Sequence, residues 1–322
     1  MMMPLLLALL AGASPLPSGS PSPPALPRGC SAATAFTGTI CTPATSGKHP
    51  ALLLLGGSEG GEVMGRVAPR FSARGFVAAS VAYFNAPGLP ATLQLIPVET
   101  VGRALKALVA RPDVDSNHIG ILGVSKGGEF ALLAASTYQQ IHAVVAVVPS
   151  PFAWEGIAQG PSQPVSSWSL DGLPVPFVAY APAMGAIFGQ AFGAGTPLDL
   201  RPGYDASMQQ NAAQIPAATF HLERIKGPVM MLAAGDDQIW DSVAQCRVGI
   251  KYLRDHGHPY PDAFLQYPQA GHLFLFASPG HPMTQSPLGP IALLLGGTER
   301  ANIQAAGEAW PRIFAFLDAA LK

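Results

Sequence analysis

A serine, an acidic pair and a histidine, in that chain order, have the surroundings that nucleophilic catalysis needs. Ser125 is the centre of Gly123-Val124-Ser125-Lys126-Gly127, which fits Gly-x-Ser-x-Gly. The apolar run Ile119 to Val124 before it reads as a buried strand, and Gly128 to Ser136 after it reads as a helix. A sharp turn between such elements holds the serine in a strained backbone with its hydroxyl exposed, and the flanking glycines let strand and helix approach each other. The helix also aims its positive N-terminal end at the point where an oxyanion would form. The alternative, an ordinary strand-to-helix turn, is disfavoured by the fit of both flanks.

A serine hydroxyl is a poor nucleophile near neutral pH and needs an adjacent base, in turn oriented by a carboxylate. Asp236 and Asp237 follow the apolar strand Val229 to Ala233, and His272 follows the strand Phe264 to Tyr267. All three positions therefore fall at the carboxyl ends of strands, where sites of open parallel sheets form. Of the eight histidines, His118 sits at the wrong end of the serine's strand. His256, His258 and His281 have no strand directly before them, and His49, His142 and His221 come before the acid pair. His272 is the candidate base; either aspartate can be its partner, with the other free to cap the next helix.

Tetrahedral intermediates also need fixed donors. The run Ala51 to Leu55 ends in Gly56-Gly57-Ser58-Glu59-Gly60-Gly61, a loop whose backbone amides can face a ligand unobstructed. A phosphate cradle would require Gly-Lys followed by Ser or Thr, which this loop lacks. It is better read as half of an oxyanion hole, with the amides of Ser58 and Glu59 as donors and that of Lys126 as the other half. Glu129, in the first helical turn, either pairs with Lys126 or favours the helix dipole.

Around these residues the elements alternate. Thr34 to Pro43, Ala51 to Leu55, Gly75 to Tyr83 and Ile141 to Val148 read as strands; Met64 to Ala73, Val98 to Ala110, Ser242 to Arg254 and Ala301 to Leu321 read as helices. Strand–helix alternation argues for a mostly parallel sheet covered on both faces. Pro149 to Pro228 breaks the rhythm with many Pro and Gly and with Phe152, Trp154, Trp168, Phe177, Tyr180, Phe188 and Phe192. A stretch this long inside a domain is expected to be a cap over the site, with Ala183 to Phe192 as one apolar helix. Trp154 and Trp240 are the residues expected to contact substrate. Ala277 to Pro290 reads as a Pro/Gly-rich loop.

The 322 residues carry a net charge of -1 and no basic run, which excludes a nucleic-acid role. Hydrophobic residues are 49% of the chain, yet no apolar run reaches the ~18 residues of a membrane-spanning helix. No Cys/His cluster has metal-ligand spacing, and no cofactor is expected. Residues 1–27 read as a signal peptide, with an apolar core at Pro4 to Leu10 and Ala11-Gly12-Ala13 as the cleavage site, followed by a Pro/Ser-rich linker; residues 28–322 form the catalytic domain. That places the protein in the periplasm or outside the cell, with the cytoplasm as the alternative. Cys30 and Cys41 flank a hairpin and can either pair or stay as two thiols; Cys246 reads as packing.

Gly123 to Glu129, Pro87-Gly88-Leu89-Pro90, Val145 to Ser150, Ile225-Lys226-Gly227-Pro228, Gly235 to Trp240 and Gly296 through Trp310 together resemble the C-terminal domain of acyl-CoA thioester hydrolases and bile acid-CoA:amino acid N-acyltransferases. More distantly, the chain is similar to dienelactone hydrolases. The resemblance implies an α/β-hydrolase fold and an acyl-enzyme on Ser125, with His272 as base. It also favours Asp237, three residues before Trp240, over Asp236. The implied substrate is a small acyl thioester or ester. Ser125 stands where amino-acid-conjugating members carry Cys, which tilts the expectation from acyl transfer to hydrolysis, and Asp241 stands where the family usually has Pro. A non-catalytic binding protein on the same scaffold is the remaining alternative.

Overall fold

The computed structural model describes residues 26–158 and 163–322. Of the expected leader and linker only Leu26 and Pro27 fall within them, so the cleavage site lies outside the described residues.

The sheet is built on continuous apolar strands, because a strand covered on both faces has no side for polar residues. Its members are β1 (Cys30–Ala32), β2 (Gly38–Cys41), β3 (His49–Leu55), β4 (Val77–Val81), β5 (Val114–Val124), β6 (Ala143–Val147), β7 (Val229–Ala234) and β8 (Ala263–Tyr267). Their spatial order is β1-β2-β4-β3-β5-β6-β7-β8. The β1–β2 and β2–β4 pairings are antiparallel and the rest are parallel. Along β3 the side chains alternate between two cores. Leu53 and Leu55 pack with Val101, Leu105 and Leu108 of α2 (Glu99–Val109, after the short α1, Ala68–Ser72) and with Phe130 of α3 (Lys126–Thr137). Leu52 and Leu54 face the other layer, where Phe71 of α1 meets the long C-terminal helix. This is the α/β-hydrolase architecture.

Cys30 and Cys41 are directly opposite each other in the β1–β2 register and are joined by a disulfide. The helix expected over Met64 to Ala73 is split, into a short turn at Met64–Arg66 and then α1, where Pro69 takes the first-turn position that tolerates a missing N–H.

The described residues of 149–228 hold two pairs of very short strands, the helices α4 (Pro182–Ala194) and α5 (Arg201–Gln210), and a single helical turn at Ile215–Ala218. Helix α6 (Ser242–Asp255) follows β7, and α7 (Glu299–Leu321) ends the chain. The stretch expected as a Pro/Gly-rich loop contains an antiparallel hairpin, β9 (Gln285–Leu288) and β10 (Ile291–Leu294). Leu198 extends it: its N–H donates to Ala292 O at 2.8 Å and its carbonyl accepts from Leu294 N at 2.9 Å.

Candidate active site

Ser125 joins β5 to α3 with φ 57° and ψ -123°, a conformation costly for any residue with a Cβ. The packing that enforces it explains both glycines of the motif. A Cβ on Gly123 would lie 1.9 Å from Gly127 O, and one on Gly127 would lie 2.1 Å from Gly56 O.

His272 and Asp237 arrive on the loops after β8 and β7. Ser125 Oγ lies 2.8 Å from His272 Nε2, and His272 Nδ1 lies 2.9 and 2.8 Å from the two oxygens of Asp237. Asp237 Oδ1 also accepts from the amides of Ile239 (2.9 Å) and Trp240 (3.2 Å), which fix the carboxylate. All three side chains are buried. An imidazole that donates from Nδ1 to a carboxylate presents a bare Nε2 to the serine, the tautomer a general base requires. Trp240 packs edge-on against His272, 5.4 Å between ring centroids.

Asp236 is placed differently from the helix cap expected of the second aspartate. Its carboxylate accepts from Gly297 N at 2.9 Å, tying the acid loop to the segment behind His272. The cap of α6 is Asp241, whose Oδ1 accepts from Ala244 N at 2.8 Å. Asp241 also pairs with Arg201 of α5 at 2.7 Å.

In the loop after β3, the Tyr83 hydroxyl reaches Gly56 O at 2.7 Å and Gly57 O at 3.0 Å. In a trans peptide the N–H points opposite to its own carbonyl. Holding Gly57 O on the tyrosine therefore turns the Ser58 amide the other way. The Gly57 amide is occupied, donating to Glu59 Oε1 at 3.0 Å. Ser58, Glu59 and Lys126 all line the cavity at Ser125. The surrounding protein raises the Glu59 pKa through desolvation, opposed by the backbone amides of Glu59 and Gly57 and by His272.

Lys126 and Glu129 are both buried and paired, Nζ to oxygen at 2.9 and 2.8 Å. Glu129 also accepts from Trp154 N (3.0 Å) and Trp168 Nε1 (2.6 Å), so one carboxylate joins the nucleophile's helix to the short strands of residues 149–228. Desolvation pushes Glu129 up and Lys126 down, and their mutual attraction opposes both shifts.

The cavity beside Ser125 has a volume of about 120 Å³. Beyond its polar end the walls are Ile157, Tyr180, Met184, Phe188, Leu198, Leu200 and Tyr204, closed by Ile239, Trp240 and the hairpin residues Leu288 and Leu293. Trp240 thus lies where it was expected. Trp154 does not: it is fully buried behind the wall, stacked on Tyr180 and edge-on to Tyr204, with its Nε1 on Gln245 at 3.2 Å. A single tryptophan in a Pro-rich segment carries no sign of which layer it will occupy. Tyr83, Tyr204 and the hairpin leucines were not anticipated either, because only tertiary structure brings them to the site. Among the described residues no group of three His, Cys, Asp or Glu is placed to hold a metal, and no helix is long and apolar enough to cross a membrane.

Residues 96–322 match the family model described as BAAT / Acyl-CoA thioester hydrolase C terminal. Acyl-coenzyme A thioesterase 1 of Homo sapiens is 27% identical over 299 residues, which is 91% of this chain and 65% of that protein. The chain spans between about half and two thirds of the length of such relatives. A Klebsiella pneumoniae protein assigned as a dienelactone hydrolase superposes with a TM-score of 0.52 at 15% identity, covering 87% of this chain and 92% of that one. The alpha/beta hydrolase GrgF of Penicillium sp. superposes at 0.50 with 16% identity over 88% and 93%. At such identity these structures establish the fold.

Proposed function

We propose, since the chain belongs to the BAAT / acyl-CoA thioester hydrolase C-terminal family, that it hydrolyses thioesters or carboxylic esters of uncharged, apolar acyl groups through an acyl-enzyme on Ser125. The observation that carries this reading is the Ser125–His272–Asp237 hydrogen-bonded chain at the polar end of an apolar cavity.

As Ser125 Oγ attacks the carbonyl carbon, His272 Nε2 takes its proton. Asp237 holds the Nδ1–H and stabilises the imidazolium that results. The carbonyl oxygen becomes an oxyanion held by the amides of Lys126 and Ser58, with Glu59 N–H as a further candidate. Each such donor is worth roughly 3–4 kcal/mol in serine hydrolases. Collapse expels the thiol or alcohol, which receives the proton from His272. Water then repeats the sequence against the acyl-enzyme. An anionic group on the acyl chain would lie unpaired against Leu198, Leu288 and Leu293, so an uncharged acyl group is favoured. The Cys30–Cys41 disulfide supports an exported protein, because such bridges persist in oxidising compartments; Met1 retained on protein from its native host would count against export.

The test is labelling with a fluorophosphonate and turnover of acyl thioesters and p-nitrophenyl esters, for wild type and Ser125→Ala. The label should map to Ser125, and the substitution should lower turnover by roughly 10⁴–10⁶. Undiminished turnover in Ser125→Ala would rule the reading out.

A further inference from the structure

The chemistry above uses one end of the cavity. The other end carries a polar feature that it does not use. Tyr180 and Tyr204 both line the cavity, and their hydroxyl oxygens are 3.2 Å apart. Each phenol has one proton to donate. The contact between them employs one proton, and among the described residues neither oxygen has another hydrogen-bond partner. One O–H donor is left over, beside Met184, Phe188, Leu200 and Ile239. Burial holds both phenols well above their ordinary pKa, so both stay protonated and remain donors.

The pair is held in place. Tyr204 sits edge-on to Trp154 at 4.9 Å and to Trp240 at 5.3 Å, and Tyr180 stacks on Trp154 at 6.0 Å. The Tyr180 backbone is tied to Glu155 Oε2 at 2.8 Å. Tyr204 is buried and Tyr180 half-buried, and these contacts hold both rings against the cavity wall. A positioned donor with no further protein acceptor, in a wall that is apolar but for Ser286, is the arrangement by which a site selects a ligand that brings an acceptor.

We propose that the Tyr180–Tyr204 pair is a subsite for one hydrogen-bond-accepting oxygen of the acyl group, an ether, keto, ester or hydroxyl oxygen. The preferred acyl group is then oxygen-bearing rather than a plain hydrocarbon. The subsite rests on the hydrolytic reading above for its link to the scissile bond. Trp240 contacts both Tyr204 and His272, and the two tyrosines make no ring contact or hydrogen bond with His272 themselves, so the oxygen belongs further along the chain than the carbonyl.

The experiment uses p-nitrophenyl esters of one chain length in which a single ether oxygen replaces each methylene in turn, with the all-carbon ester as standard. Wild type, Tyr180→Phe, Tyr204→Phe and the double variant Tyr180→Phe/Tyr204→Phe are compared by kcat/KM ratio to that standard. Wild type should favour one oxygen position by roughly three- to tenfold, the size of one net hydrogen bond, and mainly through KM. That preference should collapse in the double variant, which has no phenol proton left, whereas each single variant keeps one unpartnered O–H and should keep a preference for an oxygen. A wild type that favours no oxygen position, or a preference that survives in the folded double variant, overturns the subsite. Calorimetric binding of the same esters to Ser125→Ala separates the two readings. The oxygen preference in binding, with no turnover by wild type, refutes hydrolysis and leaves the subsite standing. Turnover without any preference refutes the subsite alone.

Discussion

Glu129→Gln removes one charge and almost no volume, and its effect can be worked from the surroundings of Lys126. Glutamine keeps an acceptor for Trp154 N and Trp168 Nε1, so those bonds are largely retained. What is lost is the counter-charge of an ammonium that is itself fully buried. Glu129 supplies both interactions that hold the Lys126 pKa up against desolvation. Without them the lysine folds neutral. Shedding a proton at pH 7 from a group whose ordinary value is 10.5 costs at most about 5 kcal/mol. That ceiling agrees with the ~3–5 kcal/mol typical of breaking one side of a buried pair. The sign of the pH dependence follows. In the variant the folded-state pKa of Lys126 is depressed, so the unfolded chain binds one more proton and variant stability rises with pH up to the unfolded value. The deficit against wild type should shrink by about 1.4 kcal/mol per pH unit from pH 7 upward. Urea unfolding of both proteins at pH 7 and pH 9 measures it: a gap of roughly 3–5 kcal/mol at pH 7, smaller by about 3 kcal/mol at pH 9. A gap that is the same at both values would show that Lys126 stays charged in the variant, and the argument from burial would fail.

Asp237→Asn leaves the shape of the acid but permits the wrong imidazole tautomer; kcat should fall by roughly 10³–10⁴ while the folded structure persists, and a loss under tenfold in steady-state assays would count against the carboxylate's role. Tyr83→Phe frees the carbonyls of Gly56 and Gly57, and with them the orientation of the Ser58 amide; kcat should fall by about tenfold or more at nearly constant KM, whereas a change confined to KM would assign the tyrosine to binding. Replacing Cys30 and Cys41 by Ser opens a closure of 11 residues' separation, worth roughly 2–3 kcal/mol in denaturant unfolding. Activity under native conditions should survive that change, since neither residue approaches the cavity.

The parts of this molecule legible in advance are those where local composition and final environment coincide. Ala51 to Leu55 is apolar at every position because both faces of β3 are covered. Gly123 and Gly127 are legible because nothing larger fits against Gly127 O and Gly56 O. The family resemblance singled out Asp237, and the structure brings its carboxylate to His272. The walls of the cavity were not legible. Tyr180, Leu198, Tyr204 and Leu293 come from separate segments with no shared period, and only their packing makes them one surface. The β9–β10 hairpin was hidden by its own composition, since Pro287 lies within β9, opposite Ala292, and Gly289 and Pro290 make the tight turn between the short strands. Asp241 stands out in the sequence only as a departure from the Pro that the family resemblance leads one to expect. Its carboxylate caps α6 and binds Arg201, two tasks that proline cannot perform.

The hairpin that precedes the first parallel strand has a bearing on how the chain avoids self-association before its fold is complete. β4 would otherwise present a row of open amides and carbonyls at the margin of the sheet, in a strand apolar at every position but Ser80, and such margins template aggregation. β2 covers that margin and β1 covers β2, and the covalent link between Cys30 and Cys41 keeps the two-strand flap closed. With the thiols reduced, the flap is held by short antiparallel pairing and by the packing of Ile40 and Cys41 into the two cores, so the unbridged chain is the form more exposed to self-association. Oxidation of one cysteine pair thus shields the sheet's vulnerable border, and chaperone dependence should be concentrated in the interval before that bond closes.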